Sequence, residues 1–185
     1  RTVGLAATLN NVEPKASPQV DELLSKIKVE LTFNDKNEQI VLLDGEDVSS
    51  KIRTPEASMM ASAISAVPSV RAYLLDLQRN IAKTNNVIMD GRDIGTVVLP
   101  NAQIKIFLSA NPEDRAKRRY DELLEKGMDV KYEDILADVI ERDYNDSHRD
   151  IAPLKPADDS IMVDTTGNTL EESVELLISI MKENM

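Results

Sequence analysis

Apolar and polar residues alternate along two neighbouring segments in the first third of the chain. These segments are residues 26–33 and 38–49. Alternation with a period of two residues is typical of strands that have one buried and one solvated face. The pairs Asn34-Asp35 and Asp44-Gly45 interrupt the alternation, and such pairs favour tight hairpin turns. The pattern therefore predicts a small antiparallel meander.

A helical spacing of apolar residues is found on both sides of this meander. Residues 1–10 are predicted to form a helix and residues 11–18 a loop. Through residues 54–67 the apolar positions recur every three or four residues, which is the spacing of an amphipathic helix. Pro68 is expected to open a second helix that continues to residue 83, because proline is favoured in the first helical turn.

Three short and almost continuously apolar segments follow, at residues 86–90, 104–108 and 161–165. Such segments are typical of parallel strands that are covered on both faces and joined by helical crossovers. The crossover helices are predicted over residues 111–127, 131–147 and 169–184. Local signals mark their ends, and these are an Asn111 cap, a Gly127 stop and a Thr169/Glu172 capping box. The expected fold class is α/β, a parallel sheet with a small antiparallel β insert.

Composition restricts the classes of protein and partner. The 185 residues are enough for one good core, and no apolar run approaches the ~18 residues that span a membrane. A net charge of −11 argues against nonspecific binding to nucleic acid or to anionic membranes, which needs a positive field. The first ten residues lack the organisation of a signal peptide, and cysteine is absent, so we expect a cytoplasmic protein without disulfides.

The tetrapeptide DGRD places charged side chains directly after the first predicted parallel strand. Asp90, Arg92 and Asp93 lie there, with glycines at positions 91 and 95. Ligands of open α/β sheets bind beyond the carboxyl ends of the strands, and the glycines allow a close backbone approach. The same residues also fit a turn with a surface ion pair, and both interpretations stay open.

Two further groups of arginines lie in the same half of the chain. Arg142, Asp146 and Arg149 share one helical face, and Arg115, Arg118 and Arg119 crowd the start of another helix. Each group taken alone also fits a solvated charged surface. Taken together, they supply guanidinium forks, which bind phosphate oxygens in pairs. The three groups therefore favour a nucleotide with two phosphate sites.

Five stretches carry a more specific pattern. They are IRTPE (52–56), VPSVR (67–71), DGRDIGTVVLPNAQIKIFLSA (90–110), RAKRRYDEL (115–123) and ERDYNDSHRDIAPLKPA (141–157). In order and spacing they resemble the bacterial cytidylate kinases, a family of nucleoside-monophosphate kinases. The resemblance implies a P-loop NTPase-like sheet, with residues 1–20 and 83–185 as core and lid. Residues 21–82 would form a monophosphate-binding region that carries the β insert.

The resemblance also implies an activity, Mg²⁺-dependent transfer of a phosphoryl group from ATP to CMP or dCMP. Neither nucleic acid nor membrane is an expected partner, and the full-length protein would be a monomer. No residue would bind the metal directly, and Arg92, Asp90, Arg118 and Arg119 would be catalytic. For the base and the phosphate, the resemblance implies cytosine contacts from Ser62, Arg71 and Asp93 and contacts to the CMP phosphate from Arg1, Arg92 and Arg149. Arg142 and Asp146 would lie nearer the ribose, and Asp90 would lie near the Mg²⁺ shell. Arg115, Arg118 and Arg119 would belong to a lid that closes on ATP.

One part of the family pattern is not found in this sequence. The P-loop motif G-x-x-x-x-G-K-[ST] does not occur, and the first two core strands of the family fold have no counterpart. That loop holds the β and γ phosphates in P-loop kinases, so the chain as given is expected to be an inactive truncation. The alternatives are a non-catalytic fragment that binds CMP and a fragment that binds nothing.

Overall fold

The structure of the chain is a computed structural model that describes residues 1–184. Backbone contacts divide it into two units, the first comprising Arg1–Val87 and the second beginning at Ile88. A membrane-crossing helix is absent from residues 1–184, because every helix there is too short or too polar.

The first unit contains helices at both ends of its sequence. Prolines begin three of them, as expected for a residue whose missing N–H is not needed in the first turn. Ser17 accepts a hydrogen bond from the N–H of Val20, and Thr54 accepts one from Ala57. The helices are α1 (Thr2–Leu9), α2 (Pro18–Lys26), α3 (Pro55–Ile64) and α4 (Pro68–Thr84). Helices α1, α3 and α4 lie where the sequence predicts them, whereas α2 was not predicted.

The predicted antiparallel meander is confirmed in the first unit. Its strands are β1 (Val29–Phe33), β2 (Gln39–Leu43) and β3 (Glu46–Asp47), paired in that order. Asp44 and Gly45 have φ values of 52° and 86° and form the tight turn between β2 and β3. A glycine fits there because it has no Cβ to oppose a positive φ.

The core of the first unit joins the meander to the helices. Helix α1 approaches α3 closely at Gly4, where a Cβ would lie 3.2 Å from the backbone nitrogen of Ala61. Residues 1–9 therefore pack within the first unit, while the functional division at residues 20 and 82 stays a prediction. The largest fully buried side chains of this core are Val3, Val20, Val48, Ile64 and Val70.

The second unit has the parallel α/β organisation that the sequence predicts. Strands β4 (Ile106–Ser109) and β5 (Ile161–Asp164) pair in parallel. Asn111 caps the first helix of this unit through a 2.7 Å bond from the N–H of Asp114, and the predicted Thr169/Glu172 capping box is present. The helices are α5 (Pro112–Glu125), α6 (Tyr132–His148) and α7 (Leu170–Glu183).

An ion pair joins the two places where these parallel strands begin. The ammonium of Lys105, just before β4, lies 2.7 and 2.6 Å from the two carboxylate oxygens of Asp159, just before β5. The side chain of Lys105 is only 8% exposed. Its methylene stem passes 3.4 Å from the position that a Cβ on Gly95 would occupy.

Two expectations about the apolar segments are wrong. Residues 86–90 form no strand, and Ile88 is 91% exposed. A strand needs a neighbour to satisfy its N–H and C=O groups, and no segment within residues 1–184 pairs with this one. Strands β4 and β5 are not covered on both faces by the described residues, since Leu108 is 53% and Met162 is 59% exposed.

The segment that follows is also different from a simple apolar run. Ile94–Val98 forms one π-helical turn, in which the N–H of Val98 donates to the carbonyl of Asp93 at 3.1 Å. Turns of this kind are rare and are frequently found at functional sites. The α/β class is thus confirmed, whereas the P-loop NTPase-like sheet and the absence of its first two core strands stay predictions.

Candidate functional site

The loop that ends in the π-helical turn presents Arg92 and Asp93. The carbonyl of Asp93 accepts hydrogen bonds from the N–H groups of Val97 and Val98 at 2.9 and 3.1 Å. These two bonds hold the backbone of Asp93 in place. Arg92 is therefore attached to a fixed point rather than to a freely moving loop.

Asp146, near the end of α6, lies among three guanidinium groups. The Nε of Arg92 donates to its Oδ2 at 2.7 Å. The Nε of Arg142 lies 3.9 Å from the same oxygen, and Nη1 of Arg149 lies 3.9 Å from Oδ1. The side chain of Asp146 is 19% exposed, so solvent screens these contacts less than it screens a surface pair.

Arg149 is the most enclosed of these arginines. Its Nε donates to the carbonyl of Ala152 at 2.7 Å, and its Nη2 lies 3.9 Å from Oδ1 of Asp93. That Nη2 atom is buried and has no hydrogen-bond partner among residues 1–184. A buried charged donor without an acceptor is costly, so this nitrogen marks a place where an anionic oxygen would be stabilised.

We call these five residues, Arg92, Asp93, Arg142, Asp146 and Arg149, the arginine–aspartate cluster. Three guanidinium groups and two carboxylates give it a formal charge of +1, in a chain whose net charge is −11. The positive charge is thus local and opposes the field of the whole chain. The cluster suits a small anion better than a large polyanionic surface.

A second ion pair lies next to the cluster. Arg115, in the first turns of α5, binds Asp143 of α6 through both terminal nitrogens, and one of these bonds measures 2.9 Å. Its Nε donates to the carbonyl of Ala110 at 3.1 Å. The bond to Arg115 is the main cause that lowers the pKa of Asp143, and the charges of Arg92 and Arg142 contribute to it.

The comparisons with known proteins show the family of the chain. A family model described as cytidylate kinase matches residues 1–183. The chain belongs to the cytidylate kinase family. It is by family a nucleoside-monophosphate kinase, which is a phosphotransferase.

Curated cytidylate kinases are similar over nearly the entire chain. The cytidylate kinase of Caldicellulosiruptor bescii is 46% identical over 180 residues, which are 97% of this chain and 79% of that protein. The one from Thermosipho melanesiensis is 45% identical over 99% of this chain and 81% of its own length. The one from Shewanella loihica is 44% identical over 100% of this chain and 80% of its own length.

The predicted lid arginines of this cytidylate kinase family member do not all lie together. Arg119 pairs with Glu122 of its own helix at 2.9 Å. Arg118 is exposed and has no partner within residues 1–184. Arg115 is held by Asp143, as described above. The structure thus brings Arg115 to the cluster, whereas Arg118 and Arg119 point to no shared contact.

The predicted site residues of the first unit have contacts of their own. Nη1 of Arg71 lies 3.5 Å from the carbonyl of Ser65, and the hydroxyl of Ser65 donates to the carbonyl of Ser62 at 2.9 Å. Ser62 and Arg71 thus lie at the same junction between α3 and α4. Arg1 donates from Nη1 to the carbonyl of Ile52 at 2.9 Å.

Asp90 and Asp143 are two carboxylates outside the arginine–aspartate cluster. Asp90 is exposed and lies outside the cluster. The sequence did not predict a role for Asp143. It lies 28 residues from Arg115, and no sequence motif has that spacing. Residues 1–184 contain no group of three or more His, Asp or Glu side chains that could hold a metal ion.

Proposed function

We propose that the function of this cytidylate kinase family member is phosphoryl transfer from ATP to CMP or dCMP, with ADP and CDP or dCDP as products, while the inactivity of the chain as given stays a prediction. The observation that carries the proposal is the buried Nη2 of Arg149 inside the arginine–aspartate cluster, which lies 3.9 Å from Asp93 but has no hydrogen-bond partner among residues 1–184. A nucleoside monophosphate offers the oxygen that this nitrogen needs. The cytidylate kinases to which the chain is similar supply the identity of the nucleotide.

Two arginines of the cluster are held in place through their Nε atoms. Arg92 uses Nε to bind Asp146, and Arg149 uses Nε to bind the carbonyl of Ala152. These Nε bonds orient the terminal nitrogens of both side chains. The terminal nitrogens form the fork that matches a phosphate. We assign Arg92 and Arg149 to the phosphate of CMP, and Arg142 and Asp146 to the ribose side. Holding the acceptor phosphate in a fixed direction lowers the entropic part of the barrier to in-line transfer.

Asp93 is assigned to the cytosine base. Its carboxylate accepts hydrogen bonds only, so it favours the amine of cytosine over the carbonyl of uracil. Its side chain is 15% exposed and lies beside Arg149. The base contacts of Ser62 and Arg71, and the phosphate contact of Arg1, stay predictions.

Magnesium enters this proposal as part of the nucleotide substrate. Mg²⁺ at nucleotide sites is usually held by substrate phosphates and water with one or two carboxylates, rather than by a dedicated cage of protein ligands. We therefore assign no direct metal ligand and route no step through the ion. Arg118 and Arg119 are proposed to approach the ATP phosphates, and Asp90 is proposed to lie near hydrated Mg²⁺.

The test is the affinity for CMP after Arg92→Met. Removing this guanidinium takes away a phosphate contact and leaves the 19% exposed Asp146 without its closest cation, so CMP binding is expected to weaken by roughly 2–5 kcal/mol, measured by calorimetry. Lys182→Met is the matched control, because it removes a positive charge from an exposed position of the same unit. A change of less than threefold would exclude Arg92 from the phosphate site. Failure of the unaltered chain to bind CMP would contradict the proposed function.

The main alternative, a chain that binds CMP without catalysis, is not favoured. The family model and the similar proteins are all named as cytidylate kinases. A coupled assay of ADP release separates the two, since only the kinase yields ADP in the presence of CMP. The cytoplasmic location and the monomeric state stay predictions.

A further inference from the structure

We propose that Asp143 is a positioning residue for the CMP phosphate. The ion pair between Asp143 on α6 and Arg115 on α5 would fix the orientation of α6. That orientation sets the direction in which Arg142 and Asp146 point. The inference rests on the proposed function, because it concerns the same phosphate site. It also reassigns Arg115, which the family resemblance places in the lid that closes on ATP.

Arg115 uses all three of its guanidinium nitrogens within the protein. Two bind the carboxylate of Asp143, and the third donates to the carbonyl of Ala110. Ala110 directly follows β4, and Asp143 belongs to α6. The side chain of Arg115, which belongs to α5, thus joins the end of β4 to α6. Helix α6 begins twenty residues after the start of α5.

This arrangement leaves Arg115 without a free fork for ATP. A guanidinium binds phosphate through paired nitrogens, and both terminal nitrogens of Arg115 already bind a carboxylate. Arg118, on the next turn of the same helix, has no partner among residues 1–184. The lid role therefore suits Arg118, and Arg115 belongs with the acceptor site.

The position of Asp143 on α6 explains how it would act on the cluster. It follows Arg142 directly and lies three residues before Asp146, so all three side chains rotate together about the helix axis. A bidentate contact at Asp143 consequently fixes the rotation of α6 at the cluster. The charges of Arg92 and Arg142 also act on Asp143, which places its carboxylate within electrostatic reach of the phosphate-binding arginines.

The experiment compares the affinity for CMP with the affinity for cytidine, which lacks the phosphate. The ratio of the two affinities isolates what the phosphate site contributes. We expect Asp143→Asn to reduce this ratio about tenfold, which corresponds to about 1.4 kcal/mol. Arg115→Lys keeps the positive charge but lacks the fork, and it should reduce the ratio similarly. In the double variant the two losses should not add, because both remove the same contact.

Asp121→Asn is the matched control. It makes the same chemical change at an exposed ion pair with Lys117 on α5, and it should leave the ratio unchanged within twofold. Should Asp143→Asn fail to fold, Arg115→Lys carries the test alone.

The outcomes separate the inference from the proposed function. An unaltered chain that binds CMP no better than cytidine contradicts the proposed function. If the unaltered chain prefers CMP but both variants keep that preference, only the positioning role is overturned. An equal loss for CMP and cytidine would show a structural role without positioning. A loss for ATP alone in Arg115→Lys would return Arg115 to the lid.

Discussion

Carboxylates and a backbone carbonyl of the second unit hold three of its arginines in place. Asp146 holds Arg92, the carbonyl of Ala152 holds Arg149, and Asp143 holds Arg115. Each contact orients a guanidinium before any ligand arrives, so less side-chain entropy is lost on binding. At the residue scale the site is thus preorganised by carboxylates and carbonyls.

The base preference is expected to depend on Asp93. Asp93→Ala should reduce the preference for CMP over UMP about tenfold, which corresponds to about 1.4 kcal/mol, because the acceptor for the cytosine amine is lost. The ratio of the two dissociation constants measures this. Asp90→Ala, in the same loop but exposed, should leave the ratio unchanged in the absence of ATP. An unaltered ratio for Asp93→Ala would remove this residue from the base site.

The stabilising effect of Asp143 should depend on pH. Arg115 lowers the pKa of this carboxyl in the folded state, so the folded state binds fewer protons than the unfolded state in this region. The stabilisation is therefore fully present above a pH of about 4, the unfolded pKa, and is lost as the pH falls through the lower folded pKa. Both side chains of the pair are 33% exposed, and screening by solvent limits the effect to about 1 kcal/mol.

Urea unfolding of the unaltered chain and of Asp143→Asn measures this effect. The difference in the free energy of unfolding should be constant from pH 7 to about pH 5 and should shrink below about pH 4. It should also decrease in 1 M salt, as expected for a partly exposed pair. A difference that does not change with pH would show that packing, rather than charge, explains the loss.

The site residues could be predicted only in part from the sequence. The spacing of Arg142 and Asp146 places them on one face of α6, Arg149 lies directly after the end of that helix, and the structure brings Arg92 and Asp93 to these residues. Their nucleotide contacts stay predictions. The pair of Arg115 and Asp143 could not be found, because it depends on how α5 packs against α6 rather than on any local spacing.

At the scale of helices and strands, local end signals were the most reliable. The Asn111 cap, the left-handed Gly127 and the Thr169/Glu172 box all lie where the sequence places them. These signals depend on three or four neighbouring residues and on no distant contact. Helix α2 was missed although Ser17 and Pro18 supply a cap and a first turn.

The segments that depend on distant partners were predicted less well. Residues 86–90 have the apolar character of a strand but no strand partner within residues 1–184. The π-helical turn at Ile94–Val98 could not be predicted from the sequence. It spans only five residues, which are too few to show a periodic pattern of apolar positions. Strand formation needs a neighbouring strand, and composition alone does not specify one.

The capping box of α7 offers a test at this scale. Thr169 accepts a bond from the N–H of Glu172, and the Glu172 carboxylate accepts one from the N–H of Thr169 at 2.7 Å. Thr169→Ala is expected to lower the free energy of unfolding by about 1 kcal/mol, measured by urea titration. Thr169→Ser keeps the hydroxyl and should retain most of the stability. Equal losses in both variants would show that the methyl group, rather than the cap, is responsible.

At the scale of the whole molecule, the net charge and the family of the chain could be determined from the sequence. The net charge of −11 means that an anionic substrate approaches against the overall field, and only a local group of arginines reverses it. The motifs that carry the family resemblance extend from residue 52 to residue 157, and the family model confirms that interpretation over residues 1–183.

The ion pair that joins the starts of β4 and β5 has a consequence for chemical labelling. Acylating reagents need access to an amine, and the ammonium of Lys105 is enclosed and held by both oxygens of Asp159. Lys105 should therefore be acylated at least about ten times more slowly than exposed Lys182, because its amine must first leave a charge-assisted hydrogen bond that contributes about 1.5–3 kcal/mol. Peptide mapping by mass spectrometry measures both rates, and Asp159→Asn should accelerate only the first. Equal rates would contradict the enclosed position of Lys105. A slow rate would make this one lysine a reporter of whether the two strands remain paired in solution.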